Sequence, residues 1–435
     1  MNVKQSGRRR FLKESAALAS LAAGVIRPAR GQTPGWDTPE APPNSLISYG
    51  ARSRFVTTVR GNGGAFTPRS PLQDQMGIIT PASLHYVVTH VSFSNKYSPS
   101  EGWGPNSFPE IDPQKHRLLI HGMVARPLIF TMEELKRLPR VSRIHFMECA
   151  VNSGASGTKA RTGASGIRGR TVQETHGFTS CSEWTGVLLS MLLKEAGAQT
   201  GGSWIIAEGA DANHHLMSIP MEKAMDDCLV AYGQNGEPVR PEQGFPLRLV
   251  VPGFEGVRNI KWLRRIKVVD RPNMPALESV GYSSLRPDGK GRWFQFEMPP
   301  ISVITRPSGG QQLAGRGFYE IIGLAWSGGG AIRRVEVSTD GGRTWKDAQL
   351  QEPVHRKAHT LFRFPWYWEG KETVLQSRAT DELGAVQPTL AELSRFWGVN
   401  SDYWLSTSNY INHFNIIWSW KVTKEGSVHN AIFES

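Results

Sequence analysis

Ile144-His145-Phe146-Met147-Glu148-Cys149-Ala150-Val151-Asn152-Ser153-Gly154 is the stretch from which the rest of the chain is most readily understood. Its first half alternates like a short strand, and its second half dissolves into small residues and glycine, so Cys149 is expected where a strand opens into a loop. Such a place suits a reactive thiolate. A free cysteine also packs well as a small buried hydrophobe, and on Cys149 alone both readings stay open.

Cys149, Cys181 and Cys228 are the only three cysteines in 435 residues. An odd, small number does not make a disulfide framework, so at least one thiol stays unpaired or binds something. No Cys-x-x-Cys-His occurs, and covalent c-type haem is therefore not expected in this chain.

Upstream, Gly7-Arg8-Arg9-Arg10-Phe11-Leu12-Lys13 fits a twin-arginine pattern, followed by an apolar run from Ala16 to Ile26 and by Ala29-Arg30-Gly31 as a cleavage site. Residues 1–31 are expected to be a removable export signal of the route that carries folded, cofactor-loaded proteins to the periplasm. Beyond it, no stretch reaches the roughly 18 to 20 apolar residues that span a bilayer. The leader carries half of the formal net charge of +12. The mild balance left gives no reason to invoke nucleic acid.

Residues 32–83 are rich in Pro, Gly and Asn and are expected to form an extended arm. Leu84–Val91 reads as a strand, followed by a loop from Pro99 to Pro113 that holds Trp103, Glu110 and Asp112. Arg117–Gly122 is another strand, and Thr131-Met132-Glu133-Glu134 predicts a capping box at a helix start. Ser153 to Arg170 is a Gly-rich basic loop, but without the Gly-Lys-Ser/Thr of a P-loop a surface role is the better reading. Helical spacing predicts a helix over Trp184–Ala196 with Gly197 as its cap. Strands are expected at Ser203–Glu208, Phe245–Val251 and Ile260–Val269. Strands and helices mix without strict alternation, so the fold class is α+β. After a Pro-, Gly- and Arg-rich connection the chain turns almost wholly to β, with strands at Phe318–Ala325, Ile332–Val337, Thr360–Phe364 and Val374–Thr380 and a hairpin signal at Asp340-Gly341. That spacing predicts an immunoglobulin-like β-sandwich.

Three motifs in this order resemble the sulfite oxidase family of molybdenum-cofactor oxidoreductases. Glu148-Cys149-Ala150-Val151-Asn152 is similar to the family's cysteine motif. Pro246 to Gly253 with Gly256 to Leu263 is similar to its cofactor-binding signature, and Ser338 to Trp345 to a signature of its dimerisation domain. Within the family, Arg143–Cys149, Tyr232–Glu237, Arg240–Gly244 and Ser302–Ser308 are similar to the molybdenum subunit of sulfane dehydrogenases of the Sox thiosulfate-oxidising system. The resemblance implies a mixed α/β molybdopterin domain over residues 84–290 and a dimerisation domain over 291–435.

The resemblance also implies a site. Cys149 is expected to ligate the molybdenum, a soft-ligand centre that a thiolate suits. His90, Asp211, Arg248, Arg258 and Lys261 are expected around the pterin, the three cations matching its anionic tail, and Tyr282 is expected at the reacting end. Asp211 also reads as a simple turn cap, and His214-His215 as surface or packing residues rather than a metal pair. Where the family places an arginine two residues before its histidine this chain has Val88. Ser153-Gly154 stand where another arginine is usual, and Gln243 replaces a histidine.

The resemblance then implies a periplasmic molybdenum oxidoreductase acting on sulfane sulfur bound to a carrier-protein cysteine, passing electrons to a dihaem c-type cytochrome subunit. A homodimer through the C-terminal domain, within a heterotetramer, is the implied assembly. Direct oxidation of free sulfite or another small oxyanion or oxide is the alternative activity. A non-enzymatic interaction protein is the third reading.

Overall fold

The structure, a computed structural model, describes residues 52–61, 68–88, 108–153, 170–211, 214–400, 403–404 and 413–432. The segment expected to be an export signal, His90, Trp103, Gly154 and nearly all of the basic loop lie outside the described residues. The chain divides into two compact units, 1–57 and 58–435. In the first, the described residues are exposed and Val56 N–H closes a turn on the Ser53 carbonyl. All that follows concerns the second.

The N-terminal half of this unit is built on two sheets. One orders its strands Leu128–Thr131, Arg117–Gly122, Leu263–Val269, Trp204–Gly209 and Leu216–Pro220, with only the pair 117–122 and 263–269 parallel. Leu118, Ile120, Ile205, Ala207, Ile266 and Val268 are fully buried from three of its strands, which is why the alternation in the sequence was legible. The expected capping box forms: the Thr131 hydroxyl accepts from Glu134 N–H, and the Glu134 carboxylate accepts from Thr131 N–H at 2.8 Å. The other sheet carries the cysteine. Its first strand, Arg140–Glu148, ends one residue before Cys149 and pairs along its whole length with Thr179–Leu188, which pairs in turn with Leu229–Gln234.

Two expected elements differ. Trp184–Leu188 is strand, and only Leu189–Ala196 is helix, capped as expected by Gly197 in the left-handed region. The apolar spacing of that stretch suits either period. Ladder bonds available on both sides of residues 184–188 settle it as strand, with β-branched Thr185 and Val187 at home there. The segment expected as a strand at Leu84–Val91 begins as a 3-10 turn, Ala82–Leu84, and runs extended but unladdered through Val88. Its donors go elsewhere: Tyr86 N–H to the Ser180 hydroxyl at 3.0 Å and Val87 N–H to the Pro68 carbonyl at 3.0 Å.

The C-terminal half is a two-sheet antiparallel sandwich. Ile301–Arg306, Gly317–Trp326, Thr360–Trp368 and Gln349–Leu350 form one sheet; Lys346–Asp347, Ile332–Ser338, Thr373–Asp381, Ser419–Val422 and Val428–Asn430 form the other. Trp326 and Phe362 from the first meet Val335, Leu375 and Trp420 from the second in one core. The Asp340 signal marks a hairpin, but a longer one than two residues: Val337 pairs with Lys346, and the Asp340 carboxylate accepts from Thr344 N–H and hydroxyl to shape the loop.

The halves meet backbone on backbone. Met298 N–H donates to the Gly253 carbonyl and Gly328 N–H to the Met298 carbonyl. A Cβ on Gly328 would lie 2.2 Å from the Gly253 carbonyl oxygen. Gly328→Ala is therefore expected to cost about 1 to 3 kcal/mol as overpacking, measurable as a shift in urea midpoint.

Side chains reinforce the junction. Trp326 Nε1 donates to Glu148 at 2.7 Å, and His359 pairs with Thr179 at 2.9 Å while its ring lies against Phe146 and Trp326. Burial depresses His359 from 6.5 to about 3. Between those values the unfolded chain holds a proton that the folded chain refuses, so stability is lost as pH falls through that window. Urea midpoints from pH 7 to pH 5 are expected to decline, and less steeply in His359→Gln.

Candidate active site

Directly beyond the cysteine strand lies a cavity lined by Cys149, Asp211, Arg248, Lys261 and Tyr282 together with His85, Tyr86, Val88, Met147 and Gln243. Five residues singled out in the sequence thus converge, from five separate segments.

The turn that presents Cys149 is locked by its neighbours. Cys149 N–H donates to the Phe178 carbonyl, Phe178 N–H to Asn152 Oδ1 and Asn152 Nδ2 to Glu148 Oε1, at 2.8 to 3.0 Å. The spacing from Glu148 to Asn152 is therefore a structural clasp around the thiol. Burial pushes that thiol up to about 11, Glu148 and Glu255 adding to the effect and Arg69 opposing it. A thiolate here needs more positive charge than the chain supplies, which a bound metal would bring.

Arg248 reaches the cavity from the short strand Arg248–Val250, its guanidinium over Trp184 at 4.8 Å. Its terminal nitrogens donate to Gln243 and to the Asn259 carbonyl, while Nε is buried with no partner. Burial lowers it to about 9. Lys261 Nζ donates to the carbonyls of Val88 and Glu242; burial first, then Arg248, lower it to about 7. The Asp211 carboxylate caps the turn, as expected, by accepting from His215 N–H at 2.7 Å, and the residue also lines the cavity. His215 bonds the Val257 carbonyl, whereas His214 is exposed. Tyr282 follows a single π-helical turn, Leu277–Gly281, and burial holds its phenol protonated, well above its ordinary range.

Arg258 stands apart from the expectation. It does not line the cavity; it is fully buried, its Nη1 donating to Glu278 at 2.5 Å and to the Ser218 carbonyl and its Nε facing Glu255 at 3.3 Å, while Nη2 is buried with no hydrogen-bond partner. These two carboxylates hold it behind the cavity lining, where its role is first of all structural.

Three further residues stand at or near the cavity, and of these only Gln243 is marked in the sequence. His85 lay inside the expected strand, yet its ring stacks on Tyr86, burial depresses it to about 3, and Nε2 is buried without a partner. Gln243 is a strut, donating to the Tyr86 carbonyl and accepting from Arg248. Arg69, from the arm, sits over Phe178 at 4.5 Å, with Nε buried and unpartnered.

A dithiolene-pterin group with an anionic tail fits this donor set. A soft sulfur and two cations share its lining, and the orphaned nitrogens of Arg248 and His85 lack partners a ligand would supply.

Residues 105–276 match the oxidoreductase molybdopterin binding domain, and residues 292–409 the Mo-co oxidoreductase dimerisation domain. The solved structure of the sulfane dehydrogenase SoxCD from Paracoccus pantotrophus is 38% identical, covering 87% of this chain and 89% of that one with a TM-score of 0.74. The chain belongs to the sulfite oxidase family of molybdenum-cofactor oxidoreductases. Mitochondrial sulfite oxidase of Mus musculus is 32% identical over 360 residues, 75% of this chain. NADH nitrate reductase 2 of Phaseolus vulgaris is 30% identical over 404 residues, 84% of this chain. The chain spans 61% of that sulfite oxidase and 42% of that nitrate reductase. Among the described residues no helix is long and apolar enough to cross a membrane.

Proposed function

We propose that the chain is the molybdenum subunit of an oxidoreductase that oxidises sulfane sulfur held on a carrier protein's cysteine. Cys149 would ligate the metal, and Asp211, Arg248 and Lys261, with His90, would hold the pterin. When bound, the group supplies two-electron redox chemistry coupled to oxygen transfer. The chain's residues bind and orient it, and Tyr282 offers a protonated hydroxyl at the same cavity.

Val88 is the observation that carries the substrate class. An apolar side chain lines the cavity there, and the two cations nearby already donate to protein carbonyls. Those cations are assigned to the pterin's anionic tail, and with an apolar side chain where the family places an arginine little positive charge is left for a free dianion such as sulfite, whereas a sulfur chain anchored on a protein brings less charge and is held by surface contacts. The likeness to a sulfane dehydrogenase supports the same reading.

Two electrons leave per oxidation, and the three cysteines make no c-type haem site. A dihaem c-type cytochrome subunit is the proposed acceptor, with the β-sandwich pairing two copies in a heterotetramer. The twin-arginine leader supports a periplasmic location. Steady-state kcat/KM with carrier-bound sulfane is expected to exceed that with free sulfite by roughly tenfold or more, one lost charge contact being worth at least that. The similarity to sulfite oxidases favours direct sulfite oxidation as the second reading. Robust turnover of free sulfite alone would establish it instead.

A further inference from the structure

The segment after residue 409 lies beyond both family matches, yet it reaches the back of the cavity. His413 N–H donates to the carbonyl of Ala150, the residue after Cys149, at 2.9 Å. Its imidazole Nε2 lies 3.1 Å from Glu255 Oε1. His413 holds φ at +65°, a conformation few non-glycine residues adopt, so both contacts depend on a constrained backbone. Asn415 Nδ2 on the Pro300 carbonyl and Ile417 N–H on the Pro388 carbonyl anchor the segment to the sandwich.

Glu255 is where this matters. It is wholly buried, its second oxygen faces Arg258, and it immediately precedes Gly256 and Val257, which line the cavity. Gly256 is pressed onto the cysteine strand: a Cβ there would lie 2.7 Å from Tyr86 Oη and 2.9 Å from the Glu148 carbonyl oxygen. That wall has no slack. A second cavity is lined by Phe254, of the same turn, and by His413. The Glu255 carboxylate is thus held by His413 at one oxygen and by Arg258 at the other. A buried carboxylate that loses a partner must move or take up a proton.

We infer that His413 is a positioning residue for the cofactor site, clamping the Cys149 turn through Ala150 and the Gly256–Val257 wall through Glu255. The C-terminal segment therefore belongs to the site although none of its described residues lines the cofactor cavity. This rests on the cofactor reading above, but its test uses no substrate and so can fail independently of it.

The experiment compares His413→Asn with His413→Gln in the full chain, expressed with cofactor supplied. Asparagine tolerates the positive φ and keeps the backbone bond but is too short to reach Glu255. Glutamine restores an N–H donor near the position of Nε2. Molybdenum and pterin per chain are measured after extended dialysis, with circular dichroism and gel filtration as checks on folding. The Asn variant is expected to retain roughly tenfold less of both with native-like folding, and the Gln variant to retain them as the native chain does. The electron paramagnetic resonance signal of the partly reduced metal should shift in the Asn variant alone. Equal retention by Asn and native chains overturns the proposal, and so does a Gln variant that folds yet loses its cofactor. If the Asn variant does not fold, the Gln variant decides by the same criterion.

Discussion

Cys149→Ser is expected to lower turnover by about three orders of magnitude or more, the loss of roughly 4 kcal/mol of metal-centred stabilisation, while leaving the fold intact. The exchange is nearly isosteric. The clasp around residue 149 uses backbone groups with Asn152 and Glu148, none of which involves the sulfur. Burying a hydroxyl in place of a thiol costs about 1 kcal/mol, so the thermal midpoint should move by no more than about 4 °C. A serine variant that keeps more than a tenth of native turnover means that Cys149 packs and does not ligate.

Arg258→Met is expected to have the largest effect on stability, about 3 to 5 kcal/mol, because it leaves two buried carboxylates, Glu278 and Glu255, without their shared cation. The measurement is urea unfolding of cofactor-free protein, which separates two accounts. An arginine whose role is to grip the pterin's phosphate leaves the stability of cofactor-free protein unchanged when replaced. An arginine inside an ion-pair network does not. Adding Glu278→Leu to Arg258→Met should recover part of the loss, since removing both partners is milder than removing one.

The arginine shows why sequence alone reached only part of the site. In the signature from Pro246 to Leu263, Arg248, Arg258 and Lys261 look equivalent, three cations beside tight glycine turns. What separates them is Glu278, which is 20 residues away and reaches Arg258 only because the π-helical turn Leu277–Gly281 packs beneath it. Long-range partners of that kind leave no trace in spacing. The same holds for residues 184–188, where ladder bonds from Arg140–Arg143 and Leu229–Gln234 override a helical pattern. His413 was invisible for the same reason, its partners Ala150 and Glu255 lying far off in sequence.

What was legible is local or chemically distinctive. Thr131 with Glu134 states its capping box in four residues, and Arg117–Gly122 states its strand in the alternation of Leu118 and Ile120. The β-rich texture after residue 300 yields the sandwich because each strand is short and bounded by its own turn. Cys149, Asp211, Arg248, Lys261 and Tyr282 were picked by chemistry together with family likeness, and the structure brings these five to one cavity.

Metal and pterin analysis of the full chain, purified after cofactor-replete expression, tests the central claim most directly. About one molybdenum and one pterin per chain are predicted, both lost on unfolding. A folded chain that carries neither contradicts the account and leaves the cavity to some other ligand.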